Sequence, residues 1–207
     1  MTDNHSIIHI PRYPLLVVVS GPSGVGKDSV IQALKRRQLP LHVVVTTTDR
    51  QPRPTEIEGV DYNFVSTERF EEMIRNDELI EYARVYNDYK GIPKIQITGA
   101  FETGKDVIIR VDVQGAARLR SLFPEAVLVF LVPATMDELV QRLTARHSET
   151  PESLSRRIET TRLEMTRLPE FDYVVANPDD QLEQAVDKIC SIITTEHQRV
   201  NPRKITV

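Results

Sequence analysis

The sequence contains a single cysteine, Cys190, among 207 residues. One thiol can form neither an intramolecular disulfide nor a cysteine-rich zinc site, so Cys190 is read as a small, buried apolar group. Long hydrophobic runs are also missing. The longest, such as 126–133, fall far short of a membrane span, and the first residues lack a basic start followed by an apolar signal stretch. The expectation is a cytoplasmic protein without a membrane partner. Nor is there an excess of positive charge: 26 Lys and Arg against 30 Asp and Glu leave a formal net charge of −4. That balance argues against a broad nucleic-acid surface, so any phosphate binding must be local and its ligand small. The five histidines, His5, His9, His42, His147 and His197, fall at no metal-binding spacing, and no repeat or low-complexity segment is present.

What is present is ordinary for a globular chain, with 40% hydrophobic and 27% charged residues. The length suits one core, with room for an insertion. Residues 1–14 read as a loose leader, and 15–207 as one domain. Strand-length apolar runs at 15–19, 41–45, 107–111, 126–132 and 173–176 alternate with helical spacing near 29–37, 114–123, 136–145, 153–166 and 181–196. Such alternation predicts a three-layer α/β core, its parallel sheet covered on both faces and its ligand site at the carboxyl ends of the strands. The rhythm breaks between 47 and 103, where charge clusters with prolines at 52, 54 and 93, and short strands are expected at 62–65 and 79–85. We read an inserted lobe there, leaving the core to 15–46 and 104–200.

The first strand feeds Gly21-Pro22-Ser23-Gly24-Val25-Gly26-Lys27, followed by Asp28 and Ser29. This is the phosphate-loop pattern in its required context, after a strand and before a helix. Backbone N–H groups converge on phosphate oxygens, the helix start adds its positive end, and the lysine reaches the β- and γ-phosphates. The Ser or Thr that ordinarily follows the lysine and ligates Mg²⁺ is Asp28 here, with Ser29 next. Further on, Arg50, Arg53 and Tyr62 gather in a short, turn-rich stretch, and guanidinium forks beside a tyrosine hydroxyl suit a second phosphate group.

From 46 to 54 the chain reads TTTDRQPRP, from 59 to 65 GVDYNFV, from 79 to 83 LIEYA and from 111 to 116 VDVQGA. In this order after a P-loop, these stretches resemble the guanylate kinases, and the resemblance spans roughly 15–195. It implies an ATP-dependent kinase acting on GMP, with dGMP as a further acceptor, Mg²⁺ as cofactor, an inserted GMP-binding lobe and a short mobile lid at about 143–156. By position, Gly21 to Ser29 would bind ATP, with Asp28 and Ser29 as the metal candidates. Arg50, Arg53, Tyr62 and Tyr89 would bind the GMP phosphate. Thr46, Glu81 and Asp112 would face the guanine, whose N–H donors and O6 acceptor complement two carboxylates and a hydroxyl. Without that context, Glu81 and Asp112 would read as surface or capping acids.

The resemblance also gives Lys27, Arg142, Arg146 and Arg157 the catalytic work around the transferring phosphoryl, which needs positioning and charge neutralisation above all. Asn177 corresponds to a position near the adenine, although Asn-Pro is equally an ordinary turn signal. Three stretches, GKD at 26–28, DYKGIPK at 88–94 and RVDVQGA at 110–116, depart from the common family form and look like the variant of plant organelles and some bacteria. An acid is usual at 110, so Arg110 and Asp28 suggest a linked exchange of charge. Two alternatives stand beside this reading. A ribose bisphosphate kinase would share the P-loop without needing guanine-selecting groups, and a non-catalytic binding module would have an eroded P-loop. A monomer or homodimer is expected.

Overall fold

The computed structural model describes residues 12–54, 56–85, 87–144 and 151–206. Strand β1, Leu16–Ser20, is buried at all five positions, and its side chains divide by parity. Val17 and Val19, with the preceding Leu15, join one hydrophobic cluster. Leu16 and Val18 join the other. A strand apolar on both faces must be covered on both, which is the arrangement of a parallel sheet between helices.

The sheet adds β2 (Leu41–Val43), β7 (Asp106–Arg110), β8 (Val127–Val132) and β9 (Tyr173–Ala176), in the order β2-β7-β1-β8-β9 with every pairing parallel. Helix α1 (Lys27–Arg36) buries Val30, Ile31, Ala33 and Leu34, the spacing of one helical face. With α7 (Leu182–Glu196), which contributes Ala185, Val186, Ile189 and Ile193, it covers the first face. Helices α3 (Lys94–Glu102) and α4 (Val113–Leu122) cover the second through Ile97, Ala100, Ala116 and Leu119. Helices α5 (Met136–Thr144) and α6 (Pro151–Met165) follow β8, and a short 3₁₀ turn, Leu168–Glu170, leads into β9. Cys190 is half-buried against the first cluster.

Between β2 and α3 the chain builds a second, four-stranded sheet of order β4-β3-β6-β5, from β3 (Thr47–Thr48), β4 (Asn63–Phe64), β5 (Leu79–Val85) and β6 (Asp88–Pro93). β5 and β6 form an antiparallel hairpin, and β3 pairs with β4 in parallel and β6 antiparallel. Helix α2 (Thr67–Arg75), capped by the Ser66 side chain, packs Phe70 and Met73 onto Leu79 in a core of its own. Two helices, α2 and α3, stand where the sequence showed only an irregular stretch. β6 contains Gly91 and Pro93 and is held in the hairpin by its pairing with β5. Gly91 is required there, because a Cβ would come within 2.9 Å of Leu79 and Phe70. α3 lies inside the sequence range 47–103 but packs on the main sheet, so the separate small core ends with β6.

Candidate active site

A cleft of about 360 Å³ runs from the P-loop to the second sheet at the carboxyl ends of β1 and β7. At one end, β1 stops at Ser20 and the loop turns through Gly21, Gly24 and Gly26, all at positive φ. A Cβ on Gly21 would lie 2.5 Å from the Leu131 carbonyl oxygen, and one on Gly26 2.5 Å from the Asn177 amide. Only glycine closes this loop. Helix α1 starts directly from Gly26 with no side-chain cap, leaving its first amides available to an anion.

Lys27 folds back over the loop and donates to the carbonyl oxygens of Gly21 and Pro22 at 2.6 and 3.0 Å. Burial pulls its ammonium down to about 8, against the opposing pull of Glu164, Asp28 and Asp112. From α6, Glu164 accepts a hydrogen bond from the Ser23 amide at 3.0 Å, and Arg157 donates to the Ser23 hydroxyl at 3.2 Å. Seven residues apart on one helix, these two side chains seat α6 on the tip of the P-loop. Arg110, beside β1 at the end of β7, pairs with Asp28.

Towards the second sheet, Arg110 lies 5.4 Å from the centre of the Tyr62 ring, Arg50 5.4 Å and Lys90 5.7 Å. Two of these three cations are paired with carboxylates, Arg50 with Glu56 and Arg110 with Asp28, which leaves a small net positive charge around one tyrosine. Thr46, Glu81 and Asp112 line the same cleft. Asp112 caps α4, accepting from the Gly115 amide at 2.7 Å. Burial pushes Glu81 above the usual carboxylate range, with the neighbouring Asp112 adding to it, although Arg118 binds the carboxylate and opposes the rise.

A family model described as guanylate kinase matches residues 13–196. The chain belongs to the guanylate kinase family. It is 48% identical over 198 residues to "Guanylate kinase 2, chloroplastic/mitochondrial" of Oryza sativa subsp. japonica, covering 95% of this chain and 70% of the relative. It is 42% identical over 189 residues to "Guanylate kinase" of Desulfitobacterium hafniense (strain Y51), covering 91% and 94%. Among solved structures, guanylate kinase from Anaplasma phagocytophilum superposes with a TM-score of 0.72 at 26% identity, covering 91% of this chain and 88% of that one. The plant relative agrees with the organelle-type resemblance read from the three departing motifs.

Against the guanylate kinase pattern, the cleft brings together Ser23, Gly24, Gly26, Lys27, Asp28, Ser29, Thr46, Tyr62, Glu81, Asp112 and Arg157. Other expected residues stand apart from its walls. Arg142 pairs with Glu138 and Asp179 and donates to the carbonyl oxygens of Val25 and Asn177, so its guanidinium ties the P-loop to the end of β9. The Asn177 side chain is buried and donates to Val25 O at 2.8 Å, bracing the loop where a contact to a base was considered. Arg50 is held by both oxygens of Glu56, at 2.8 and 2.9 Å, beside the Tyr62 ring. Arg53 is exposed, and Tyr89 stacks on Phe70 with 5.0 Å between ring centres. Arg146 lies outside the described residues.

Lys90, Arg110, Arg118 and Glu164 line the cleft without having been assigned a site role from the sequence. The partners of Arg110, Arg118 and Glu164 are 37 to 141 residues away along the chain, and Lys90 lies over the Tyr62 ring. Arg110 and Lys90 leave a trace in the sequence, as cations within the stretches that depart from the common family form.

Proposed function

We propose that the chain transfers the γ-phosphoryl group of ATP to GMP, giving ADP and GDP, with dGMP as a second acceptor. One observation carries this reading: a single cleft is lined both by the P-loop and by Thr46, Glu81 and Asp112, with Arg50, Lys90 and Arg110 around the Tyr62 ring on its wall. A sugar phosphate would not need Thr46, Glu81 and Asp112 together as a guanine-selecting set, and a non-catalytic module would have no use for Lys27 and Arg157 beside the P-loop.

In this proposal the P-loop amides and Lys27 hold the β- and γ-phosphates. Arg157 approaches the reacting phosphoryl from α6, and the family resemblance gives Arg146, outside the described residues, the same task. Tyr62, Lys90 and Arg110 take the GMP phosphate, joined by Arg50 once GMP competes with Glu56, while Arg53 and Tyr89 belong to the same acceptor lobe. Arg142 and Asn177 act through the P-loop backbone they brace. Direct in-line transfer needs no covalent enzyme intermediate; a fixed array of cations lowers the barrier by stabilising charge on the phosphoryl oxygens.

Guanylate kinases generally use Mg²⁺. Among the described residues no group of three or more His, Cys, Asp or Glu side chains could hold a metal. Asp28 and Ser29 at the start of α1 are the oxygen ligands on offer, a sparse set that fits an ion held mainly by triphosphate oxygens and water. There the ion would neutralise charge on the β- and γ-phosphates. The reading carries a cytoplasmic location, where both nucleotides are available, and either a monomer or a homodimer. A coupled assay of ADP release across GMP, dGMP, AMP and ribose 1,5-bisphosphate tests it, with turnover expected for the two guanine nucleotides alone.

A further inference from the structure

Glu81 has only a 9% exposed side chain, and a carboxylate so placed needs a partner if it is to stay charged. The partner is Arg118, whose Nε donates to Glu81 Oε1 at 2.7 Å and whose terminal nitrogen also contacts that oxygen. The contact joins the two lobes, because Glu81 lies on β5 of the small sheet and Arg118 on α4 of the main core.

The local sequence explains how Arg118 gets there. Helical side chains lean toward the helix N-terminus and cover the residue three or four positions earlier. For Arg118 that neighbour is Gly115, whose missing side chain leaves the lane open, and both residues face the cleft. A side chain at 115 would also come within 2.9 Å of Val111.

We propose that Arg118 is a positioning residue for acceptor specificity, holding Glu81 charged and oriented so that it accepts hydrogen bonds from the N–H groups of a guanine base. This rests on the GMP reading above and assigns to a residue of the core a role in the selectivity of the lobe. Two charged groups bear on Glu81, Arg118 on α4 favouring the carboxylate and Asp112 at the start of α4 opposing it; Lys90 on the adjacent β6 lines the same cleft. Without Arg118, burial and Asp112 act unopposed by the guanidinium, and the carboxyl takes up its proton at higher pH. A protonated Glu81 presents a donor toward the donor edge of guanine.

The experiment is the pH profile of kcat/KM for GMP in the wild type, R118Q and R118K. For R118Q the acid limb is expected to move to higher pH, with kcat/KM reduced about tenfold on the acid side and recovering toward the wild-type value on the alkaline side. KM should carry the loss while kcat changes little, and R118K should restore most of the profile because it restores the charge. A uniform reduction at every pH would mean that Arg118 merely supports the fold, and would overturn the inference. So would a superimposable profile, or tighter GMP binding by R118Q, which would make the ion pair a competitor of the base. A wild-type protein that turns over no GMP would overturn the GMP reading itself and this inference with it.

Discussion

Lys27 combines burial with a charge that its chemistry needs. Desolvation brings its ammonium down to about 8, and Glu164 contributes the largest of the opposing pulls. A lysine with a lowered pKa loses its proton as pH rises through that value, so kcat/KM for ATP, which reports the free enzyme, should fall on the alkaline side near pH 8. Replacing Glu164 by Gln removes the anion and should move that limb to lower pH by roughly half to one unit. An unchanged limb in E164Q would show that Glu164 has no electrostatic hold on Lys27. Asp112 also has two tasks at this scale, as cap of α4 and as a candidate reader of guanine. The variants D112N and D112A separate them. Asn caps as well as Asp, so D112N should keep its stability while its KM for GMP rises; D112A should lose about 1 kcal/mol in denaturant unfolding as well. Equal destabilisation in both would argue against the capping role.

At the scale of elements, what could be read from the sequence was what is locally encoded. The P-loop is a contiguous pattern of glycines between a β-branched run and an amphipathic helix, and β9 begins and ends where its apolar run does. The inserted lobe is different. α2 has a clear cap in Ser66, yet its buried face consists of only Phe70 and Met73, too narrow a stripe to stand out among charges. α3 mixes β-branched residues with Gly99 and becomes a helix because Ile97 and Ala100 fill the main core. β6 exists because β5 and β3 flank it. The cleft follows the same division: its motif residues were visible, whereas the pairs Arg118 with Glu81 and Glu164 with Ser23 arise only when distant elements meet. Arg142 and Asn177 show the converse, since their motif positions match and their side chains serve the loop's backbone.

At the scale of the whole molecule, the end of the chain is fastened across the base of the sheet. Glu196 is buried, accepts from the Tyr173 hydroxyl at 2.6 Å and pairs with Arg203, while Asp106 takes His197, Arg12 and the Leu15 amide. Burial alone would raise the Glu196 carboxyl, but the hydrogen bonds from Arg203 and Tyr173, with the charges of Arg203 and Arg199, hold it below its usual range. A carboxyl lowered in the folded state contributes stability above its unfolded value of about 4.3, and that contribution fades as pH falls through the folded value. R203A should therefore unfold about 2 kcal/mol more easily near pH 7, with the gap from wild type narrowing in urea titrations below about pH 4. A gap that stayed constant with pH would remove Glu196 from the explanation.

The cleft joins these scales, since α6, α4, the P-loop and the small sheet each contribute groups to one space. That they serve one reaction is tested most directly by ADP release from ATP and Mg²⁺ with and without each acceptor. The structure and the family together predict release that depends on GMP, follows one GDP formed per ADP and stays near background with AMP or ribose 1,5-bisphosphate. ADP release that is indifferent to GMP, or that follows the sugar phosphate, would contradict the account.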